Sequence, residues 1–281
     1  MSLLSGLGGL GLNGLEDMDI YGEAEKAEAK KKAQEPAKVE EKDMIYEKTF
    51  KCPCCDADVP TKIMKTGKAK LIGTDQDLRP RYEGIDTIKY DVILCPTCGY
   101  TALTRFFPNL TGPQAKLIKE KISVNVKIPK YTNDTYSYEE AVDRYQLALA
   151  NAVVKRGRAS EKAYICLKSA WLMRGYRESV TDTEKGTPEL VAELKAREEE
   201  YIQNAYNGFA EARQNEGFPM CGMDEITIDY LLGVLAAHLK KYDVASRMVS
   251  SILTSSAANT RMKDKARDLK EQIMLQIKNN K

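Results

Sequence analysis

Two cysteine pairs constrain the fold of this chain more than any other feature of its sequence. The first lies in the run CPCC at residues 52–55 and the second in the run CPTC at residues 95–98. A C-x-x-C turn holds two thiolates on one side of a tight loop, and two such turns complete a tetrahedron around one metal ion. The repeated C-P-x-C register leaves Cys54 outside the set. The predicted ligands of a structural zinc ion are Cys52, Cys55, Cys95 and Cys98.

The residues beside the cysteines fit this interpretation. A proline stiffens each turn at the same place, at Pro53 and Pro96. Gly99 follows the second pair, where the chain must turn back with a positive φ at little cost. Asp56 holds that place after the first pair, and aspartate tolerates a positive φ better than most residues do.

A disulfide framework and a thioredoxin-like redox pair are the alternatives to a metal site. Residues 1–20 have neither the basic start nor the unbroken apolar stretch of a secretory signal. We therefore expect a reducing, cytoplasmic location, which disfavours disulfides. A redox C-x-x-C would stand alone at a helix N-terminus, whereas this chain has two pairs. No run of about 18 apolar residues occurs, so no membrane-spanning helix is predicted.

Composition divides the chain into four parts. Residues 1–43 are rich first in Gly and Leu and then in charge, which predicts a disordered tail, although its leucines could instead form a docking segment. Residues 44–110 are the predicted four-cysteine zinc-ribbon domain. Residues 111–136 are a connecting helix and linker, and residues 137–281 are a TPR-like helical domain. The predicted fold class is α+β, with a small N-terminal β zinc ribbon followed by an all-α TPR-like array.

Alternation of bulky and polar side chains predicts the strands of the ribbon. These strands cover residues 46–51, 59–65, 68–72 and 87–94, and the last one leads directly into Cys95. Residues 122–128 also alternate and predict a strand on pattern alone. The order of strands around two cysteine turns is that of a zinc ribbon.

From Tyr138 onward the apolar period becomes helical. One helix begins near Ser137, and capping residues predict further starts at Ser160, Thr187 and Asp224. Two more helices are predicted over residues 242–253 and 260–277. The helix after Asp224 and its successor carry small residues at the spacing of a tetratricopeptide repeat, which predicts a TPR-like array with fewer than three clear repeats.

The positive charge of the chain is concentrated on the ribbon. Residues 48–133 carry fifteen Lys/Arg and eight Asp/Glu, a net charge of +7, whereas residues 1–47 have a net charge of −5. Positive charge beside aromatic side chains suits single-stranded nucleic acid. The alternative is a small sheet whose lysines keep it soluble. The candidate nucleic-acid contacts are Lys62, Lys65, Lys68, Lys70, Arg79 and Arg81.

Little in the sequence indicates catalysis. Asp75 and Asp77 could bind a cation, although a D-x-D is more often a solvated loop that satisfies its own backbone. His238 is the single histidine, predicted to be half-buried on a helix, and no Cys–His or Ser–His arrangement is apparent. Cys166 is predicted to pack in a helix, and Cys221 to lie in a loop. A zinc ion with four cysteine ligands has no open position for water, so we expect no enzyme.

Several motifs, taken in their order, resemble one known family. They are YEKTFKCPCCDADV, TDQDLRPRYEG, IKYDVILCPTCGYTA, YEEAVDRYQLALANA, SEKAYICLKSAWLMRGYRE and DYLLGVLAAHLKKYDVASRMVSSIL. From about residue 44 to residue 277 the chain resembles the uncharacterised bacterial family DUF2225. The resemblance implies an N-terminal zinc ribbon that uses the same four cysteines, followed by C-terminal TPR-like helices, and it implies no activity. Cys54 and Asp56 depart from the family's usual first turn.

These observations favour a non-enzymatic, cytoplasmic zinc-binding adaptor or scaffold that mediates protein–protein interaction through its TPR-like helices. The alternative is a nucleic-acid-binding zinc-ribbon protein with a regulatory helical domain. A metal-dependent enzyme that uses Asp75 and Asp77 is a distant third hypothesis.

Overall fold

The computed structural model describes residues 40–129, 131, 133–183 and 185–279. Six short strands come first and seven α-helices follow, which confirms the α+β class. The described residues from Glu41 onward form one compact unit. Most of the predicted tail, with its docking segment, lies outside the described residues. Its last residues form a 3-10 helix over Glu41–Met44.

The strands form three separate antiparallel pairs. The pairs are β1 (Ile45–Lys51) with β2 (Asp58–Met64), β3 (Leu71–Thr74) with β4 (Pro80–Tyr82), and β5 (Val92–Leu94) with β6 (Thr101–Leu103). The first and third pairs are hairpins whose connecting turns contain the cysteines. The second pair is an insertion between them. The strand order therefore fits the zinc ribbon that the sequence predicts.

Two predicted strand segments contain helical turns where strands were expected. Thr87–Tyr90 is a 3-10 helix, because the carboxylate of Asp86 accepts a hydrogen bond from the N–H of Ile88 at 3.1 Å and caps it. Residues 122–128 form no strand, because helix α1 (Gly112–Ile118) continues as a π-helix over Lys119–Ser123. Alternating side chains alone could not reveal these outcomes, since a strand also needs a partner for its backbone.

The six long helices lie close to their predicted positions. Their bounds are α2 (Tyr138–Val154), α3 (Ala159–Asp182), α4 (Pro188–Asn215), α5 (Glu225–His238), α6 (Tyr242–Thr254) and α7 (Thr260–Asn279). Ser137, Thr187 and Asp224 accept hydrogen bonds from backbone N–H groups in the first turns of α2, α4 and α5. The predicted cap Ser160 is wrong, because α3 begins one residue earlier and Arg158 stands at its N-cap.

Helix α3 is the centre of the packing. It carries the buried residues Ile165, Trp171 and Leu172 and packs against α2 and α4. The β5–β6 hairpin rests on α2. The hydroxyl of Tyr145 on α2 also donates to the carbonyl oxygen of Ile88, in the 3-10 helix before β5, at 3.0 Å. The ribbon and the helices therefore share one core.

Helices α5, α6 and α7 bury a second apolar cluster that includes Ala236, Ala245, Val249 and Leu269. The small residues that suggested a tetratricopeptide spacing do pack α5 against α6. The repeat assignment itself stays a prediction. Among the described residues, no helix combines the length and the apolar composition needed to cross a bilayer.

Candidate metal centre

The two cysteine turns have the same backbone geometry. In each turn the N–H of the first cysteine donates to the carbonyl oxygen five residues later, at 3.0 Å for Cys52 and 2.9 Å for Cys95. The carbonyl oxygen of the same cysteine accepts from the N–H four residues later, at 2.9 and 3.0 Å. That fourth residue has a positive φ, 61° at Asp56 and 72° at Gly99. The predicted equivalence of Asp56 and Gly99 is therefore confirmed.

The turns bring four thiols together at the junction of the two hairpins. The Sγ atoms of Cys52, Cys55, Cys95 and Cys98 all lie within 4.8 Å of one another. The Cys52–Cys98 and Cys55–Cys95 separations are both 3.6 Å. A metal–sulfur bond of about 2.3 Å gives a tetrahedral edge of about 3.8 Å, close to these distances. All four cysteines are free thiols, and a disulfide would need about 2.0 Å. The donor set therefore fits one tetrahedral metal ion.

The pKa values of the clustered cysteines indicate that the four thiols cannot all ionise without a cation. Hydrogen bonding with Cys52 and Cys98 holds the pKa of Cys95 well below its ordinary value. Hydrogen bonding with Cys95, together with burial, raises the pKa of Cys52 to about 12. Hydrogen bonding with Cys52 and then with Cys95, together with burial, raises the pKa of Cys98. Four thiolates this close repel one another, so a bound divalent cation is what allows all four to ionise.

Two polar side chains support the second turn and were not predicted. The hydroxyl of Ser123 donates to the carbonyl oxygen of Cys98 at 2.7 Å. The amide of Asn151 on α2 donates to the carbonyl oxygen of Gly99 at 3.1 Å. These residues lie 25 and 52 positions from their partners, and no sequence pattern connects them. Cys54 is buried outside the group of four, as predicted, and its Sγ lies 3.8 Å from the carbonyl oxygen of Ala115.

The Asp75–Asp77 segment is not a solvated loop, and that interpretation is wrong. It connects β3 to β4, and its two carboxylates contact Arg174 on α3. Asp77 is 5% exposed, and its carboxylate receives both terminal nitrogens of Arg174, at 3.2 and 2.7 Å. Asp75 receives Arg81 at 2.7 Å and Arg174 at 3.2 Å. The two carboxylates are thus neutralised by arginines of the chain.

Arg79 and Arg81 are part of the same cluster. Arg79 is 4% exposed and donates to Glu178 on α3 at 3.0 Å and to Asp86 at 3.4 Å. Arg81 binds Glu178 through both terminal nitrogens, at 2.9 and 2.8 Å. Burial alone would raise the pKa of Asp75, but the arginines around it outweigh that effect and lower it. The ion pairs fasten the inserted hairpin to α3.

The four lysines of the predicted basic face remain at the surface. Lys68 and Lys70 are exposed, and Lys70 lies 3.9 Å from Glu83. Lys65 donates to the carbonyl oxygen of Asp43 at 2.9 Å, and Lys62 donates to that of Asn133. The structure therefore separates these lysines from the two arginines that the sequence grouped with them.

The remaining single residues have structural partners. The prediction of a half-buried His238 is wrong, because the side chain is exposed at the end of α5 and its Nε2 lies 2.7 Å from the carboxylate of Glu199. Cys166 is buried in α3, and burial raises its pKa to about 12. Cys221 is more buried than its loop position suggested and donates to the carbonyl oxygen of Ser160 at 3.3 Å. None of them lies in the metal centre.

Comparison with known proteins yields a family and no further relative. A family model described as "uncharacterized protein conserved in bacteria" (DUF2225) matches residues 45–273. This match confirms the resemblance drawn from the sequence motifs. No curated protein matches the chain, and no solved structure matches it.

Proposed function

We propose that this chain, which belongs to the bacterial family DUF2225, is a non-enzymatic adaptor. Its zinc-binding ribbon and its helices together form one scaffold that binds a protein partner. The proposal has two parts, a metal and a docking surface. The four-thiol cluster supports the metal, and a groove on the helices supports the docking surface.

Zinc is the metal that we propose for the cluster. Four thiolates in a tetrahedron are typical of structural zinc, and iron–sulfur centres are the main alternative. Such an ion is fully coordinated by protein, so its contribution is to hold the two turns together. Cys52 and Cys55 would anchor the first hairpin to it, and Cys95 and Cys98 the second.

Metal analysis tests this part. We expect one zinc per chain in protein purified without a chelator, and a sharp loss of zinc in Cys95→Ser. The matched control is Cys54→Ser, which removes a buried thiol from the same ribbon but not from the ligand group. Wild-type protein that contains no zinc, or equal zinc loss in both variants, would contradict the proposal.

A groove between α2, α3 and α4 is the proposed docking surface. Its volume is about 550 Å³, and its floor includes Ala163 and Gly208, where α3 and α4 approach closely. One wall carries Val153, which is 58% exposed. The observation that carries the proposal is Arg197 in the same groove, whose side chain is 27% exposed and whose guanidinium lies 3.7 Å from Glu193, too far for a hydrogen bond. A partly exposed guanidinium of this kind can form short, charge-assisted hydrogen bonds with a carboxylate that a ligand supplies.

The groove suits one kind of partner. We propose an amphipathic helix of another protein, which would place a carboxylate on Arg197 and an apolar side chain on Val153. A photo-crosslinking residue in place of Asn204, an exposed position in the groove, should capture a recurrent partner in intact cells. Val153→Glu should abolish that crosslink.

The control places the same substitution elsewhere. Met274 on α7 is 61% exposed, and it lies outside the groove, so Met274→Glu should leave the crosslink unchanged. Crosslinking that survives Val153→Glu, or the absence of any recurrent partner, would refute the docking surface. The zinc proposal would be unaffected by either result.

A further inference from the structure

A cavity at the junction of the ribbon and the helices gathers arginines that have no ion pair with a carboxylate among the described residues. Its volume is about 490 Å³, within the range of small-molecule sites. Four segments meet around it: the loop after β6, the start of α1, the turn between α2 and α3, and the loop between α4 and α5. Arg105, Arg156 and Arg158 line it.

These three arginines differ from most others in the chain. Of the thirteen arginines in the sequence, eight have a carboxylate within 4.0 Å in the structure. Among the described residues, five therefore have no such ion pair, and three of those five line this one cavity. Arg105 is held by aromatic rings instead, with its guanidinium 5.8 Å from the ring centres of Phe106 and Tyr164.

The acidic groups of the cavity do not cancel this charge. Glu161 is 2.7 Å from the ammonium of the buried Lys155. Glu216 accepts from the N–H and the hydroxyl of Ser160, at 3.1 and 2.5 Å. Cys221 also lines the cavity, and burial raises its pKa to about 12, so it adds no negative charge. Three arginines against one remaining carboxylate leave a net positive cavity.

We propose that this cavity binds a small phosphorylated ligand through its phosphate groups. Guanidinium groups bind phosphate oxygens with paired, charge-assisted hydrogen bonds, and a concave wall strengthens those bonds by excluding water. The concave shape and the small volume of the cavity favour a small phosphorylated compound over a nucleic-acid backbone, which would track a long open groove. The site lies apart from the lysines that the sequence analysis assigned to nucleic acid.

Titration calorimetry at fixed ionic strength tests the site in the full chain. The probes are inorganic pyrophosphate, ATP, adenosine and a single-stranded oligonucleotide. Pyrophosphate and ATP should bind, and adenosine should not. The double variant Arg156→Gln plus Arg158→Gln should raise the Kd for pyrophosphate by about tenfold or more. Both side chains are exposed, and Arg158 makes no capping bond with its side chain, so the fold should persist.

The matched control is Lys68→Gln plus Lys70→Gln, which removes the same charge from the ribbon and should leave the Kd unchanged. If the arginine double variant unfolds in a thermal melt, Arg158→Gln alone gives the same test with a smaller loss. Equal weakening in both double variants would show a response to net charge and overturn the site. Binding of the oligonucleotide alone, or of no probe, would also overturn it.

Discussion

Replacing Arg174 with methionine should destabilise the protein far more than the loss of an ordinary ion pair. The guanidinium of Arg174 contacts Asp75 at 3.2 Å, Asp77 at 2.7 Å and Glu198 at 2.7 Å. It thereby connects α3 both to the inserted hairpin and to α4. Methionine preserves much of the side-chain volume and removes the charge.

The magnitude follows from the burial of the partners. The side chains of Asp77 and Glu198 are 7% and 6% exposed. Glu198 keeps Arg177 at 2.8 Å, but within the described part of the chain Asp77 has no other ion-pair partner. Removing one partner of a buried ion pair costs about 3–5 kcal/mol, because the other charge stays buried and unpaired. That is a large fraction of the roughly 5–15 kcal/mol that stabilises a typical domain.

Urea unfolding at pH 7 measures this loss. Arg174→Met should lower the free energy of unfolding by about 3–5 kcal/mol. Adding Asp77→Asn to that variant should recover about 1 kcal/mol or more, since the unpaired carboxylate is then gone. The control is Arg267→Met, which breaks an exposed pair with Asp264 and should cost under about 1 kcal/mol. A loss below about 1 kcal/mol for Arg174→Met, or no recovery in the double variant, would refute the reasoning.

Four further variants test other parts of the structure. Gly67→Ala should lower the free energy of unfolding in urea by about 1 kcal/mol, because φ is positive at Gly67. Gly99→Ala should lower it more, since φ is positive there too and the new Cβ would lie 2.6 Å from Val126. Equal losses in the two variants would contradict this reasoning. Asp75→Asn should reduce the stability that the protein loses at acid pH. The fold lowers the pKa of Asp75, so the ionised carboxylate stabilises the fold at pH values above its unfolded pKa of 3.8. This contribution is lost as the pH falls through the folded pKa. An unchanged acid titration would argue against that ion pair. Gly175→Ala, normally worth about 1 kcal/mol of helix propensity, should instead lower the melting temperature, because its Cβ would collide with the carboxylate of Asp86.

The metal centre was predictable from the sequence because its geometry is local. Each C-P-x-C turn closes its own hydrogen bonds within six residues, and the positive φ values fall where Asp56 and Gly99 allow them. Because both turns present two thiols in the same geometry, their four thiols together fit one metal ion. The same repeated C-P-x-C spacing predicted that Cys54 lies outside the group of four thiols.

The helices were also predictable, and for a similar reason. Ser137, Thr187 and Asp224 cap the helices that follow them through bonds to residues three positions away. The apolar period then fixes the buried face of each helix. Thr87–Tyr90 was mistaken for a strand because a local cap overrode the alternating pattern.

Charge pairing was decided by tertiary structure alone. Asp77 and Arg174 are 97 positions apart, and Arg81 and Glu178 are also 97 positions apart. No periodicity connects such residues, because an ion pair depends on where two side chains end in space. The sequence therefore determined which four thiols cluster and three of the helix caps. The fold decided which arginines neutralise buried carboxylates and which three line an open cavity.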